Sequence, residues 1–445
     1  MVNKIYLVER FVYRVIHEKY EPSEEEVRAV GEVLGQSTKK LNVVLDRYRY
    51  VFSRYVEKKC VDVDSYSICI YAWSQRTPFK VFPLSMHLTG TIILFKEGEP
   101  REVLAYPIPK ALSYAKSSDV SEDKYGSIVP REVTKRVDGW QVTAYYNPLL
   151  NRWIFATRYV LHNMYFEKGR LITEPFDVIA NPFVYVADKI AEEENLYNLL
   201  YNSRGYTFTF VLEGPEPSIT KPPYPLGEDY HRYRLYLLMA RDPSGKLYTW
   251  SETNKLLRYR SPEALEPKPL SELYKEITRK LDIRSYLAYI DTGDAENPTI
   301  IELESDVYPE AMNVKYMYNA KSAALLIVEG LGEELKQIVG QSIVKAIDEV
   351  SIVVSKLKEL LVCIEEEMVT TASWEILRTL SEFKEDIDVR VEEFSRALKE
   401  KNINRVLKKV LGILLEGSSL ASKETLSMLT LFSKKLEQRL KFTSI

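Results

Sequence analysis

The chain has 445 residues and a formal net charge of −3, with 45% apolar and 28% charged residues. That composition belongs to a globular protein of two or three domains and excludes a disordered chain. The near-balanced charge excludes a protein that coats nucleic acid with its whole surface, while leaving room for a local basic face.

The N-terminal stretch MVNKIYLVERFVYRVIHEKY is charged throughout, so it does not read as a signal peptide. Its apolar residues recur at helical spacing. Ser23, followed three residues later by Glu26, reads as the capping box of a second helix. KKLNVVLDRYRYVFSRYVEKK continues as a third amphipathic segment. From about Val61 to Tyr318 the texture changes to short β-type runs: YSICIYAW, GTIILF, REVLAYPI, WQVTAYY, RWIFATRYV, YTFTFVLEG, YRLYLLMA and PTIIELES. Lys96-Glu97-Gly98-Glu99 and Asp242-Pro243-Ser244-Gly245 read as hairpin turns. ADKIAEEENLYNLLYNS reads as a helical insert. From about Ala320 the pattern is helical again, without proline after Pro309, and LGEELKQIVGQSIVKAIDEVSIVVSKLKELLVCIEEEM reads as one long helix or two. No apolar run approaches a membrane span.

These segments predict an α+β fold: an N-terminal helical extension over 1–60, an antiparallel sheet domain over 61–320 and an all-helical domain over 321–445. Cys60, Cys69 and Cys363 are too few for a disulfide scaffold and form no CxxC pair. The four histidines are scattered, which argues against a zinc cage. The expected location is the cytoplasm. Abundant Tyr, Glu, Lys and Ile with little Gln points to a thermophile.

The chemistry centres on TKRVDGWQVTAYYN, Thr134 to Asn147. An Asp-Gly after a β-run is most often a plain turn. The order of the surrounding segments gives it more weight. TGTIILF and then YPIPKALSY precede it. RWIFATRYV, YTFTFVLEGPEP, YRLYLLMARDPSGKLYT and IIELESDVYPEAMNVKYM follow it. In this order the chain resembles the phage-type ATP-dependent RNA ligases, the RNA ligase 1 group, over roughly Val61 to Lys321. That family places Arg-Gly-Ile-x-Phe and an arm ending Pro-x-x-Lys-Phe-Phe ahead of a nucleophile motif Lys-x-Asp-Gly. By resemblance, Lys110 matches the arm's lysine and Arg136-Val137-Asp138-Gly139 falls on the nucleophile motif. Arg158 falls on the basic strand after it, Glu302 on a later metal-contacting carboxylate and Lys315 on the last phosphate-contacting motif. The resemblance implies a nucleotidyltransferase-like antiparallel core, ATP and Mg²⁺ as cofactors, RNA as partner and an RNA-selecting role for the helical domain.

The departures matter equally. The family's lysine attacks the α-phosphate of ATP, which requires a neutral amine. Lysine can be tuned toward neutrality from a reference near ~10.4, whereas arginine stays protonated. Arg136 can grip a phosphate but cannot form the adduct. Three supporting positions have changed too: the glutamate of the third motif is Thr209, a lysine of the last motif is Met317, and the arginine of Arg-Gly-Ile-x-Phe is Thr89.

Lys135 is the alternative nucleophile. On an extended segment it faces away from position 136, so a bulge before Asp138 is needed to re-aim it. Each candidate also has a bland reading: Lys110, Lys135, Arg158 and Lys315 as solvated cations, Glu302 as the polar face of an edge strand. The tyrosines of Tyr201–Tyr206 and Tyr230–Tyr236 read as packing or as RNA-stacking platforms. The basic stretch with Lys408, Lys409, Lys434, Lys435 and Arg439 reads as a solvated helix face or a phosphate track. Three functions stay open. The first is a non-catalytic protein that binds a nucleotide or an RNA end, tRNA included. The second is an active ATP-dependent RNA ligase using Lys135. The third is an assembly protein that recruits a protein partner through residues 321–445.

Overall fold

The computed structural model describes residues 3–74, 83–116, 120–162, 165–167, 170–172, 182–218, 227–293, 298–385 and 387–442. The architecture is α+β, with a helical C-terminal region. The chain divides into two compact units: residues 1–275 with 285–304, and residues 276–284 with 305–445. Among the described residues no helix is long and apolar enough to cross a membrane.

The first unit opens with helices Lys4–His17, Glu24–Val33 and Leu41–Arg54. Asn3 caps the first, its side chain accepting from the backbone N–H of Ile5 and Tyr6. Ser23 and Glu26 form the expected capping box on the second. The third ends at Arg54, earlier than its amphipathic pattern suggests, and the chain turns at once into strand β1 (Val56–Val63). β1 pairs with β2 (Tyr66–Trp73), β2 with β3 (Thr89–Lys96) and β3 with β4 (Glu99–Ala105), all antiparallel. The helices cover one face of this sheet, where Ile5, Phe11, Val30 and Val44 meet Tyr71, Ile93 and Phe95. Glu97 and Gly98 turn the last hairpin at positive φ, which glycine tolerates. Cys60 faces Cys69 across β1 and β2, and the two form a disulfide. The sequence spacing alone did not point to this bridge; the hairpin register creates it. Cys363 is free and exposed.

Two further sheets build the middle of the unit. One has the order β13-β6-β14-β15-β5, from β5 (Leu112–Ser113), β6 (Glu132–Lys135), β13 (Ala264–Leu265), β14 (Ser285–Ile290) and β15 (Thr299–Glu304). All its pairings are antiparallel except β15 with β5. The other has the order β12-β11-β7-β8, from β7 (Gly139–Asn147), β8 (Arg152–Thr157), β11 (Thr207–Glu213) and β12 (Arg234–Arg241). β9 (Tyr165–Glu167) pairs antiparallel with β10 (Arg170–Ile172).

β11 is buried on both faces, which explains its unbroken apolar run. Phe208, Phe210 and Leu212 pack against helix Pro182–Glu193. Val211 packs on the opposite side with Leu287, Tyr289 and Ile300 of the five-stranded sheet. By alternation Thr209 lies on the face of Val211, and it is fully buried.

The second unit is helical. Its longest helix, Gln341–Val362, buries Ile343, Ile347, Val350, Val354, Leu357 and Leu361, a stripe with alternating spacings of four and three. Helix Gly332–Ile338 precedes it separately, so the long stretch that read as one helix or two is two. Four of the five cations singled out near the end are paired locally, while Lys434 is exposed. Lys408 pairs with Glu329, Lys409 with Glu393, Lys435 with Glu382 and Arg439 with Glu375 and Glu382. Those cations act chiefly as inter-helix ties.

Candidate functional site

The three residues from Arg136 to Asp138 carry the chain from β6 in one sheet to β7 in the other. Two contacts hold this crossing. The Arg136 backbone N–H donates to the Ser285 carbonyl of β14 at 2.9 Å, extending the β6 pairing by one residue. Val137 packs on the inter-sheet core with Met239, Leu287 and Ile300. Asp138 then accepts from the Ser218 backbone N–H at 3.2 Å and from the Ser218 hydroxyl. Gly139 must be glycine, because a Cβ there would lie 2.2 Å from the Leu212 carbonyl oxygen.

Lys135 and Arg136 diverge. The Lys135 ammonium pairs at 2.7 Å with Glu263, the residue just before β13, on one flank of β6. The Arg136 guanidinium pairs with Glu302 of β15, on the other flank and one strand beyond β14. Glu302 Oε1 also accepts from the Ser285 hydroxyl at 2.7 Å. Ser285 belongs to SYLAYI, an apolar run that the sequence reading passed over, bounded by Arg284 and Asp291.

Lys110 and Arg158 meet on one aromatic ring. The Arg158 guanidinium carbon lies 3.1 Å from the centroid of Trp73, at the end of β2. The Lys110 ammonium lies 5.0 Å from the same centroid. Trp73 was absent from the sequence candidates, since nothing in its own segment marks a tryptophan as a cation platform. Gly90, at φ 103°, lets the Arg158 backbone approach closely; a Cβ there would lie 3.2 Å from Arg158 Cα. Thr89 Oγ1 donates to the Ile108 carbonyl at 2.7 Å, which ties down the arm that carries Lys110. Thr89, at the arginine position of the resemblance, thus holds the arm by its hydroxyl.

The electrostatics are unbalanced. Burial, then the charge of Arg158, pulls the Lys110 pKa below the ordinary lysine value. Burial is also the largest cause pulling Arg158 down, to about 10, with Arg136 adding to it. Nε and Nη2 of Arg158 are buried with no hydrogen-bond acceptor among the described residues. Among the described residues no ion pair reaches Lys110 or Arg158. Glu302 offsets the charge of Arg136 only. Among the described residues two buried or half-buried cations therefore stand without counter-charge, an arrangement that costs stability unless an anion joins it.

The site suits a divalent cation poorly. Of its two carboxylates, Glu302 has Oε1 already engaged by a guanidinium and a hydroxyl, and Asp138 is engaged by Ser218. Among the described residues no group of three His, Cys, Asp or Glu is placed to hold a metal. Lys315 lies in the last turn of helix Tyr308–Met317, in the second unit, with Met317 exposed at its end. Lys110, Arg136, Asp138, Gly139, Arg158 and Glu302 all belong to the first unit.

No protein-family model and no curated protein sequence matches this chain. Solved structures resemble it distantly. An archaeal ATP-dependent RNA ligase is 11% identical with a TM-score of 0.39, over 62% of this chain and 64% of that one. The chain thus spans less than two thirds of that ligase's length. A putative ATP-dependent DNA ligase from Aquifex aeolicus is 12% identical with a TM-score of 0.36, over 65% of this chain and 67% of that one. A mutant Naegleria gruberi RNA ligase with ATP and Mn is 11% identical with a TM-score of 0.30, over 58% of this chain and 96% of that one.

Proposed function

We propose that this protein is an RNA-ligase-like, non-catalytic binder of phosphate ends. It holds the phosphate of a nucleotide or of an RNA 5′-end at Lys110, Arg136 and Arg158 and forms no covalent nucleotidyl adduct. The observation that carries this reading is Arg158, whose buried Nε and Nη2 find no acceptor among the described residues, beside Lys110, which no ion pair among them reaches. Leaving such donors unmet costs about 1–3 kcal/mol. A phosphate supplies acceptor oxygens and the missing charge together, and the planar guanidinium fits it bidentately.

The absence of an adduct follows from side-chain chemistry. Arg136 stands at the amine's position and stays protonated. Lys135, the neighbouring amine, is tied to Glu263 on the other flank of the strand. Asp138 and Gly139 preserve the turn, and Glu302 orients Arg136. RNA is the proposed macromolecular partner, and the helical unit is the proposed RNA- or protein-selecting part.

The test is a titration with short 5′-phosphorylated and 5′-hydroxyl oligoribonucleotides in Mg²⁺ buffer. The phosphorylated RNA is expected to bind about tenfold more tightly or better, given that each charge-assisted contact is worth about 1.5–3 kcal/mol. That preference disappears in Arg158→Met. Equal binding of the two RNAs overturns the reading. A covalent adduct formed with α-labelled ATP and lost in Lys135→Ala establishes instead the active ligase.

A further inference from the structure

The resemblance implies a divalent cation beside Glu302, and the site is built against one. We infer that the Arg136 guanidinium takes the place of that cation, so that phosphate binding at this site needs no divalent metal. The inference rests on the proposed phosphate binding and concerns how the charge of the phosphate is met.

Three observations carry it. Glu302 Oε1 already accepts from Arg136 and from the Ser285 hydroxyl at 2.7 Å, so a metal that used the whole carboxylate would have to displace both donors. Mg²⁺ demands a nearly ideal octahedron of oxygen donors and gives up its waters reluctantly, so it does not displace two donors from a carboxylate cheaply. The charge beside Glu302 is also of the wrong sign for a dication. Arg136 already neutralises the carboxylate, and Arg158 lies close enough to Arg136 to feel its charge. Finally, the Arg136 position is locked from the backbone side. Its N–H is bonded to Ser285, and Val137 is packed into the inter-sheet core. The guanidinium is therefore delivered to Glu302 by the fold. A fixed monovalent cation with several directed N–H donors does part of a metal's work, neutralising and orienting the phosphate, without the polarising power of a dication.

Glu302 then has a role opposite in sign to that of a metal ligand. It neutralises part of the Arg136 charge and adds a negative charge near the phosphate. Removing its charge should release the guanidinium and strengthen phosphate binding. A metal-ligating carboxylate would show the reverse.

The experiment uses the full chain and a short 5′-phosphorylated oligoribonucleotide, with affinities measured in EDTA and in Mg²⁺ at matched ionic strength. The expected result is an affinity equal in the two buffers within about twofold, and a rise of about three- to tenfold in Glu302→Gln. Electron paramagnetic resonance of added Mn²⁺ gives a readout on the unaltered protein. The protein with its RNA should sequester no more Mn²⁺ than the RNA alone. Binding that appears only with Mg²⁺, or a Glu302→Gln variant that binds Mn²⁺ and phosphate more weakly, overturns the inference and leaves the phosphate-binding reading standing. Failure of the RNA to bind in either buffer overturns both.

Discussion

Lys135 and Arg136 are adjacent in the chain, yet their charged ends sit on opposite flanks of the same strand, on Glu263 and on Glu302. The amine at this position is thus held away from the acid that Arg136 engages.

From that divergence follows the first prediction. Incubation with α-labelled ATP and Mg²⁺ or Mn²⁺ should leave the protein unlabelled, and Lys135→Ala should bind 5′-phosphorylated RNA as the unaltered chain does. A stable labelled band would count against it, most directly if Lys135→Ala removed that band.

Arg158→Met should separate binding from stability. The variant keeps an apolar stem against Trp73 and removes two orphaned donors from a buried place. Affinity for 5′-phosphorylated RNA should fall by about ten- to a hundredfold, as expected for a lost charge-assisted pair. The melting temperature should hold or rise, because relieving the unmet donors offsets the lost cation–π contact of about 0.5–2 kcal/mol. A large drop in melting temperature would show that Arg158 is structural.

Lys110 links binding to protons. Burial and Arg158 lower its pKa in the free site, and a bound phosphate raises it again. Binding in alkaline buffer should therefore take up protons. Calorimetry in two buffers of different ionisation enthalpy measures this directly, and Lys110→Met should abolish the difference. For folding the sign is also set. The unfolded chain holds this proton to higher pH than the folded one, so Lys110's contribution to stability rises with pH through that alkaline window.

His87 supplies an acid limit. It is buried, stacked on Tyr106 at 5.2 Å, and pulled by burial, then by Arg241 and Lys4, from 6.5 to about 3. A histidine depressed in the folded state stabilises fully above its unfolded pKa, and that contribution is lost as pH falls toward its folded pKa. Each pH unit in this window costs about 1.4 kcal/mol. Between pH 7.5 and 5 the first unit should lose about 2 kcal/mol through His87 alone. Denaturant unfolding at both pH values should show a smaller loss in His87→Gln.

Gly139→Ala should destabilise the first unit by about 2–3 kcal/mol, as overpacking against a rigid backbone does. The added Cβ would meet the Leu212 carbonyl, which cannot move without breaking the β7–β11 pairing. Unchanged denaturant midpoints would mean that this contact yields.

Much of the fold was readable because its signals are local. The apolar runs of β2, β3, β7, β8, β11, β12 and β15, the Ser23 capping box and the glycine turn at Gly98 each act within a few residues. β1 was hidden because its charged sequence VEKKCVDV continues the helix before it without a breaker. Position 136 announced its chemistry through residue type alone, since an arginine cannot do a lysine's work. What Lys135 and Arg136 face was not readable, because their partners lie 128 and 166 residues away. Trp73 and Ser285 escaped notice for the same reason. Each acquires its place only when distant strands assemble. Lys315 was assigned by spacing to Glu302, and helix Tyr308–Met317 carries it in the second unit.

The Cys60–Cys69 bridge has a practical consequence. With those two sulfurs joined, Cys363 is the one thiol of the three cysteines open to a maleimide dye, and it lies in the helical unit. Four of the five tryptophans, Trp73, Trp140, Trp153 and Trp250, lie in the first unit. A single labelling reaction under non-reducing conditions thus yields a reporter for the helical unit, while intrinsic fluorescence reports chiefly on the first. If the two signals trace different denaturation curves, the units melt separately, and a ligand that shifts only the tryptophan curve must act on the first unit.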